Sequence, residues 1–330
     1  MKIGFVMMET IQPFRGGVHE QVHLLRRQLE RRGVRADLLA YSRRAVEDRG
    51  KRMLWLRQLS PSFVAKLVRA EEDVYISETA WPILPTLISC RLNSSLCILH
   101  LHSLESKQDV GLGMGGRALI KGLEEVGKLC DLILVPSRVE ASLLRSNRVR
   151  VLPNVIDVDS FTRSRPAELR RPAVTFVGGM GYPPNREAAE EVIRVAELVN
   201  RSMRVNFYLV GPSPPPVKPP VYATGYVDST APYVLGSDIC VAPVRRGGGV
   251  KLKVLEYMAS GKPIVATGKA VEGVEGIEFV RAETREEFAQ SILDILEGRV
   301  ERERFVVNVE TVRREYSPEN SVSRLLRIIS

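Results

Sequence analysis

APVRRGGGVKLKVLEYMASGKPIVAT, Ala242 to Thr267, is the stretch that decides the fold. An apolar run ends at Pro243 and three adjacent glycines follow, Gly247–Gly249. A helical pattern with Val254, Leu255 and Met258 on its core side then runs from about Val250 to Ser260, closes at Gly261, and leads into Ile264–Ala266. This reads as strand, glycine turn, helix, strand. Glycines at a helix start let backbone N–H groups approach an anion closely, and the helix dipole adds positive potential there. Gly249, Lys253 and Glu256 are spaced four and three residues apart, hence on one helix face. A lysine there can neutralise a phosphate, and a glutamate one turn on can accept hydrogen bonds from a vicinal diol such as a ribose. The competing reading is an exposed basic turn with Lys253 and Glu256 as a surface ion pair.

The same grammar recurs outward. The chain opens with the apolar run Ile3–Met7, the pair Gly16-Gly17, and Val18, Val22, Leu25 and Leu29 at helical steps, stopped by Gly33. Further strands are predicted at Ala36–Tyr41, Val74–Ser77, Leu96–His102 and Leu132–Pro136. Polar residues and proline between Val151 and Arg171 read as a linker. A second set starts at Val174–Phe176 with Gly178-Gly179 and a helix over Arg186–Arg201, followed by strands at Val205–Val210 and Ile239–Ala242. Pro212–Pro220, with six prolines in nine residues, reads as a surface loop, and an amphipathic stretch with Val322, Leu325, Leu326 and Ile329 as a closing helix. Strands alternating with helices imply α/β architecture with parallel sheets. At 330 residues the chain is long enough for two domains, and two doubly wound units would place their ligand at a central cleft.

The 242–267 segment resembles the signature of family-4 (group 1) retaining glycosyltransferases of the GT-B fold, where a helix reading roughly K-x-x-E-x-M-A-x-G-x-P-V-V-A-T binds a nucleotide-sugar donor. Other segments resemble the same family in order: GGVHEQVHLLRRQLERRGV its first glycine loop and helix, HSLE at 102–105 an H-N-x-E element, and DLILVPS the strand leading to Ser137. VLPNVIDVDSF resembles its domain linker, FVGGMGYPPN the start of its donor domain, GYVDSTAPYVLGSDICVAP its base-binding region, and REYSPENSVSRLL its closing helix. The resemblance implies two Rossmann-like domains, an acceptor-side domain over 1–160 with helix 312–330 packing back on it, and a donor domain over 165–311. It implies transfer of a sugar from a nucleotide diphosphate sugar to an acceptor hydroxyl, with no obligatory cofactor and no metal. His102 would sit by the sugar, Arg245 and Lys253 by the leaving diphosphate with the amides of Gly248 and Gly249, and Glu256 on the ribose. Gly16, Gly17, Gly178, Gly179, Arg186 and Val227 complete the implied donor-binding set.

Two departures accompany this match. The family's E-x7-E has Gly248 where the first glutamate stands, and Pro184-Asn185-Arg186 replaces a common basic pair. They leave the sugar open, and they motivate a non-catalytic nucleotide-sugar-binding scaffold as the alternative. A GT-B epimerase would instead put acid/base carboxylates where this sequence has arginines and glycines.

His19-Glu20-Gln21-Val22-His23 spells H-E-x-x-H, a zinc-protease pattern when on a helix. Its place directly behind Gly16-Gly17, in the opening strand-loop-helix unit, argues against that reading. Charge is more informative. The net charge is +9, and Arg15–Arg69 alone holds 14 Lys+Arg against 5 Asp+Glu, so the remainder is balanced. One basic face is expected rather than a nucleic-acid coat. Within it Arg43–Arg69 carries Leu54, Trp55, Leu56 and Leu59 among basic residues, which suits either an anionic membrane surface, near a glycan or lipid-linked acceptor, or a solvated helix packed on the domain. Cys90, Cys97, Cys130 and Cys240 lie in apolar runs without CxxC spacing and read as buried thiols of a reducing compartment. With no signal-peptide pattern and no membrane-length apolar run, the expected location is cytoplasmic, with peripheral membrane contact as the accompanying hypothesis.

Overall fold

The computed structural model describes residues 1–11, 17–42, 60–107 and 114–330. It divides into two compact units, one of Met1–Val155 with Gly248–Val250 and Pro318–Ser330, the other of Ile156–Gly247 with Lys251–Ser317. Each is built on a six-stranded, wholly parallel sheet. The α/β expectation of two Rossmann-like units is met.

In the first unit the strands are β1 (Lys2–Glu9), β2 (Arg35–Ser42), β3 (Val74–Glu78), β4 (Leu96–His100), β5 (Leu132–Val135) and β6 (Val149–Val151), ordered β2-β1-β3-β4-β5-β6. Its helices are α1 (Gly17–Arg31), α2 (Pro61–Ala70), α3 (Ile83–Asn93), α4 (Met114–Gly127) and α5 (Arg138–Leu144). Alternate residues of each strand feed opposite cores. Ile3, Phe5, Ile76, Ile98 and Leu134 join Val22, Leu25 and Leu29 of α1, whereas Val6, Tyr75, Leu99 and Ile133 join Phe63, Ile83 and Ile120. Both faces of the sheet are therefore covered by helices, which is why its strands read as near-continuous apolar runs.

The second unit carries β7 (Ala173–Val177), β8 (Asn206–Val210), β9 (Val221–Gly225), β10 (Ile239–Ala242), β11 (Ile264–Ala266) and β12 (Val280–Arg281), ordered β12-β11-β10-β7-β8-β9. Helices α6 (Val158–Thr162), α7 (Pro183–Val199), α8 (Ala231–Gly236), α9 (Leu252–Ser260), α10 (Arg285–Leu296) and α11 (Val307–Glu315) surround it, and α12 (Pro318–Ile329) closes the chain on the first unit. There Val322 and Leu325 enter the core that holds Leu25 and Leu29.

Three predicted boundaries shift. Helix α7 begins at Pro183, before the expected Arg186, because proline is tolerated in the first helical turn, where its missing N–H costs nothing. Helix α9 begins at Leu252, with extended backbone at Lys251. Strand β4 ends at His100, leaving His102 beyond it. The stretch expected as linker contains the short helix α6, capped by the Asp157 side chain accepting from the Ser160 amide at 2.9 Å.

Candidate functional site

In an open parallel sheet, ligands bind beyond the strand carboxyl ends where the strand order reverses. In the second unit that point lies between β7 and β10, whose chain continues leftward to β11 and β12 in one case and rightward to β8 and β9 in the other. Gly178-Gly179 follows β7 directly and the Arg245–Gly249 turn follows β10. The turn needs its glycines: Gly247 and Gly249 have φ of +99° and +69°.

Lys253, in the first turn of α9, is the centre of this group. Its Nζ donates to Asn185 Oδ1 at 2.6 Å and lies 4.4 Å from the centre of the Phe176 ring. A Cβ at Gly178 would come within 2.9 Å of that Nζ, so glycine is what admits the lysine. Asn185 is held in turn by donating to the Gly179 carbonyl at 3.1 Å. Among the described residues no carboxylate forms an ion pair with Lys253. Burial lowers its pKa to about 7, with Glu256 pulling upward and Lys251 downward. A neutral amide partner, an aromatic face and glycine backbone surround a buried amine, an arrangement chemically able to receive an anion.

Glu256 lies one turn on, its Oε2 accepting from Thr230 Oγ1 at 3.1 Å just ahead of α8. Val227 is half-buried in the same loop between β9 and α8. Val254, Leu255, Tyr257 and Met258 are buried on the core side of α9. Gly178, Gly179, Lys253 and Glu256 are thus brought to one switch point. Arg186 instead pairs with Glu190 across one turn of α7 at 3.2 Å, and Arg245 is exposed, its charge acting on Glu191 and Glu287. Asn185 and Thr230 were absent from the sequence-derived set.

The first unit holds a second group. Glu78 ends β3, directly opposite His100 at the end of β4, and the Thr79 amide donates to the His100 carbonyl at 2.9 Å. The Glu78 carboxylate is fully buried, 2.7 Å from His102 Nε2 and 3.1 Å from His100 Nδ1. Burial pushes its pKa up, but the charge and hydrogen bonds of His100 and His102 together hold it down, to about 2. His102 moves in the neutral direction: burial and the neighbouring His100 lower its pKa.

Gly249 is grouped in this unit, where its amide donates to Glu140 Oε1 at 3.1 Å; the Glu140 carboxylate also accepts from Ser137 Oγ, the N-cap of α5. Gly248 belongs to the same short segment. Gly17 opens α1, whereas Gly16 lies outside the described residues, as does the Arg43–Leu59 part of the basic stretch. In the H-E-x-x-H pattern, His19 Nε2 lies 3.3 Å from Glu9 Oε1 and His23 faces Arg26, Arg27 and Glu30. All four cysteines are buried and unbridged, with Cys97 and Cys130 Sγ atoms 3.4 Å apart. Among the described residues no helix is long and apolar enough to cross a membrane.

Residues 15–160 match the model of Glycosyltransferase Family 4, and residues 171–298 match that of Glycosyl transferases group 1. No curated protein matches in sequence. Among solved structures, HepE from Anabaena in complex with UDP is similar at a TM-score of 0.73 and 14% identity, covering 99% of both chains. Sucrose-phosphate synthase from Thermosynechococcus elongatus is similar at 0.74 and 16%, covering 99% of this chain and 98% of that one. The lipopolysaccharide outer core galactosyltransferase WaaB, in its apo form, is similar at 0.66 and 13%, covering 100% and 99%. With glycosyltransferase models matching residues 15–160 and 171–298, most of the chain, and with its fold shared end to end with these structures, the chain belongs to the GT-B glycosyltransferase family.

Proposed function

We propose that this protein is a retaining hexosyltransferase that moves a sugar from a nucleotide diphosphate sugar to an acceptor hydroxyl, without an obligatory metal, in glycan, glycolipid or envelope-polysaccharide synthesis. The observation that carries the reading is the buried Lys253 amine, which donates to a neutral amide beside Gly178 and, among the described residues, has no carboxylate within ion-pair distance. A diphosphate entering there supplies the missing charge. HepE, which shares the fold, has been seen with UDP and with UDP-glucose.

In the reaction the bond between the anomeric carbon and the diphosphate oxygen breaks, and the acceptor oxygen bonds to the same face of that carbon as its proton passes to the departing diphosphate. The departing oxygen develops the largest new charge, so the groups facing it matter most. Lys253 meets that charge, with Arg245 and the amides of Gly248 and Gly249 assisting. Glu256 receives the ribose, Val227 and Arg186 lie toward the base, and Gly178 and Gly179 leave room for the phosphates. On the other unit His102 meets the sugar, and Gly16 and Gly17 approach the phosphates. The acceptor is a glycan or a lipid-linked saccharide, with Arg43–Arg69 as the proposed contact to an anionic membrane on the cytoplasmic side. Salt-sensitive flotation with anionic liposomes is the expected result for that contact, and the absence of salt-sensitive binding removes the membrane assignment.

A thermal-shift screen against UDP-, GDP-, ADP- and dTDP-sugars tests the donor class, because a ligand that binds only the native state raises Tm. At least one should do so, with slow release of free nucleotide diphosphate. No shift with any of them overturns the reading, and a shift without hydrolysis or transfer makes the protein the non-catalytic scaffold.

A further inference from the structure

Glu78 is used by nothing described above, yet it is the most completely enclosed carboxylate of the first unit. An ionised carboxylate only accepts hydrogen bonds, so a ring nitrogen in contact with it must carry a hydrogen. His102 Nε2 lies 2.7 Å from Glu78 Oε2, and His100 Nδ1 lies 3.1 Å from the same oxygen and 3.2 Å from Oε1. A neutral imidazole has one N–H, and for His102 the contact with Glu78 assigns it to Nε2. Its Nδ1 is then a bare lone pair, and that atom is buried without a hydrogen-bond partner. Buried polar atoms without partners are uncommon and call for an explanation.

We propose that Glu78 is a positioning residue that locks His102 in the Nε2–H tautomer, so that Nδ1 is presented as an acceptor for a ligand hydroxyl. On the functional reading above, on which this last clause rests, the hydroxyl belongs to the donor sugar. The arrangement is rigid, because Glu78 and His100 are direct cross-strand partners and the two imidazoles pack with centroids 4.3 Å apart. The three residues also form a ligand set of the kind that holds a metal ion, their ligand atoms lying within 4.8 Å of one another. Two ligands on one tetrahedral zinc with bonds of about 2.0–2.1 Å stand about 3.3 Å apart. The 2.7 Å contact is shorter than that and is a direct N–H···O bond. The Asn154 side chain is the competing influence: it favours the protonated ring, and its carbonyl would ask for a hydrogen at Nδ1.

Long-range 1H–15N correlation NMR on histidine-labelled protein at neutral pH decides between them, with signals assigned by their loss in His102→Gln and His100→Gln. The expected pattern is a protonated Nε2 and bare Nδ1 for His102, and a protonated Nδ1 for His100. Glu78→Gln keeps the volume but replaces the ion by a neutral amide whose NH2 cannot accept, so the preference for the Nε2–H form of His102 should fall and the tautomer populations shift. A hydrogen on Nδ1 of His102 in the native protein, or unchanged tautomers in Glu78→Gln, overturns the proposal. Calorimetry with UDP and UDP-glucose reads the hydroxyl. Glu78→Gln should leave UDP affinity unchanged and reduce the preference for UDP-glucose over UDP by about tenfold. An unchanged preference also overturns the proposal. If the native protein binds neither, the same comparison is made with the nucleotide sugar that raises Tm and its nucleotide diphosphate; if none of the four classes binds, the donor reading above is what fails, and the tautomer result alone decides the role of Glu78.

Discussion

Two buried charges stand at the strand carboxyl ends of two sheets of the same size and the same parallel pairing, and they are handled in opposite ways. Glu78 in the first unit is held by built-in partners, the imidazoles of His100 at the end of the neighbouring strand β4 and of His102 just beyond it. Lys253 in the second has an amide oxygen, an aromatic ring and glycines. A buried charge whose partners are built in is architecture, since it holds neighbouring groups in one orientation. A buried charge whose nearest partners are neutral is costly until a counter-charge arrives, and that cost is the reason Lys253 is proposed as the partner of a diphosphate.

The sharpest way to break this contrast is to remove each charge. Lys253→Ala should lower turnover on the donor by about 100- to 1,000-fold, whereas Glu256→Gln, which keeps a ribose acceptor, should cost far less. Equal, mild losses in steady-state assays would show that Lys253 does not face the departing diphosphate. For Glu78 the readout is acid stability. Its folded pKa of about 2 lies below the ordinary 4.5, so protonation favours the unfolded chain. The stabilisation is complete above about pH 4.5 and is lost as the pH falls toward 2, an effect on the order of 3 kcal/mol. Glu78→Gln should flatten that part of the stability profile in denaturant titrations, and an unchanged profile would mean that the carboxylate is not held by the imidazoles.

Two smaller effects sharpen the Lys253 side. Gly178→Ala should weaken binding of the cognate nucleotide by roughly tenfold at nearly unchanged Tm, because its methyl displaces a flexible amine rather than backbone. Gly179→Ala, whose Cβ would meet only Pro212 at 3.8 Å, should leave Tm unchanged, so any loss of nucleotide binding there reads the room kept for the phosphates. Finally, a diphosphate raises the pKa of Lys253 from about 7, so binding should take up a fraction of a proton and weaken as pH rises through that value. Binding enthalpies that do not depend on the ionisation enthalpy of the buffer would contradict this.

Much of the fold was legible because central parallel strands are buried on both faces and announce themselves as apolar runs. The strands that escaped, β6, β9 and β12, are all at sheet edges. They read VRV, VYATG and VR, too short or too polar to stand out. The candidate site divides similarly. Lys253 and Glu256 could be placed on one helix face from spacing alone. Asn185, Thr230 and Glu78 could not, because their contacts close across 68, 26 and 24 residues and depend on strand order. The one available signal for Asn185 was its position in the segment that departs from the family pattern.

The closing helix has a consequence for how the protein is made. Val322 and Leu325, fully buried, share a core with Ile3, Phe5, Leu25 and Leu29. The first unit therefore draws its core from both ends of the chain, while every residue of the second lies between them. Until α12 docks, the first unit lacks Val322 and Leu325 and the α1 face that receives them stays uncovered, whereas the second unit takes its core from residues that all precede α12.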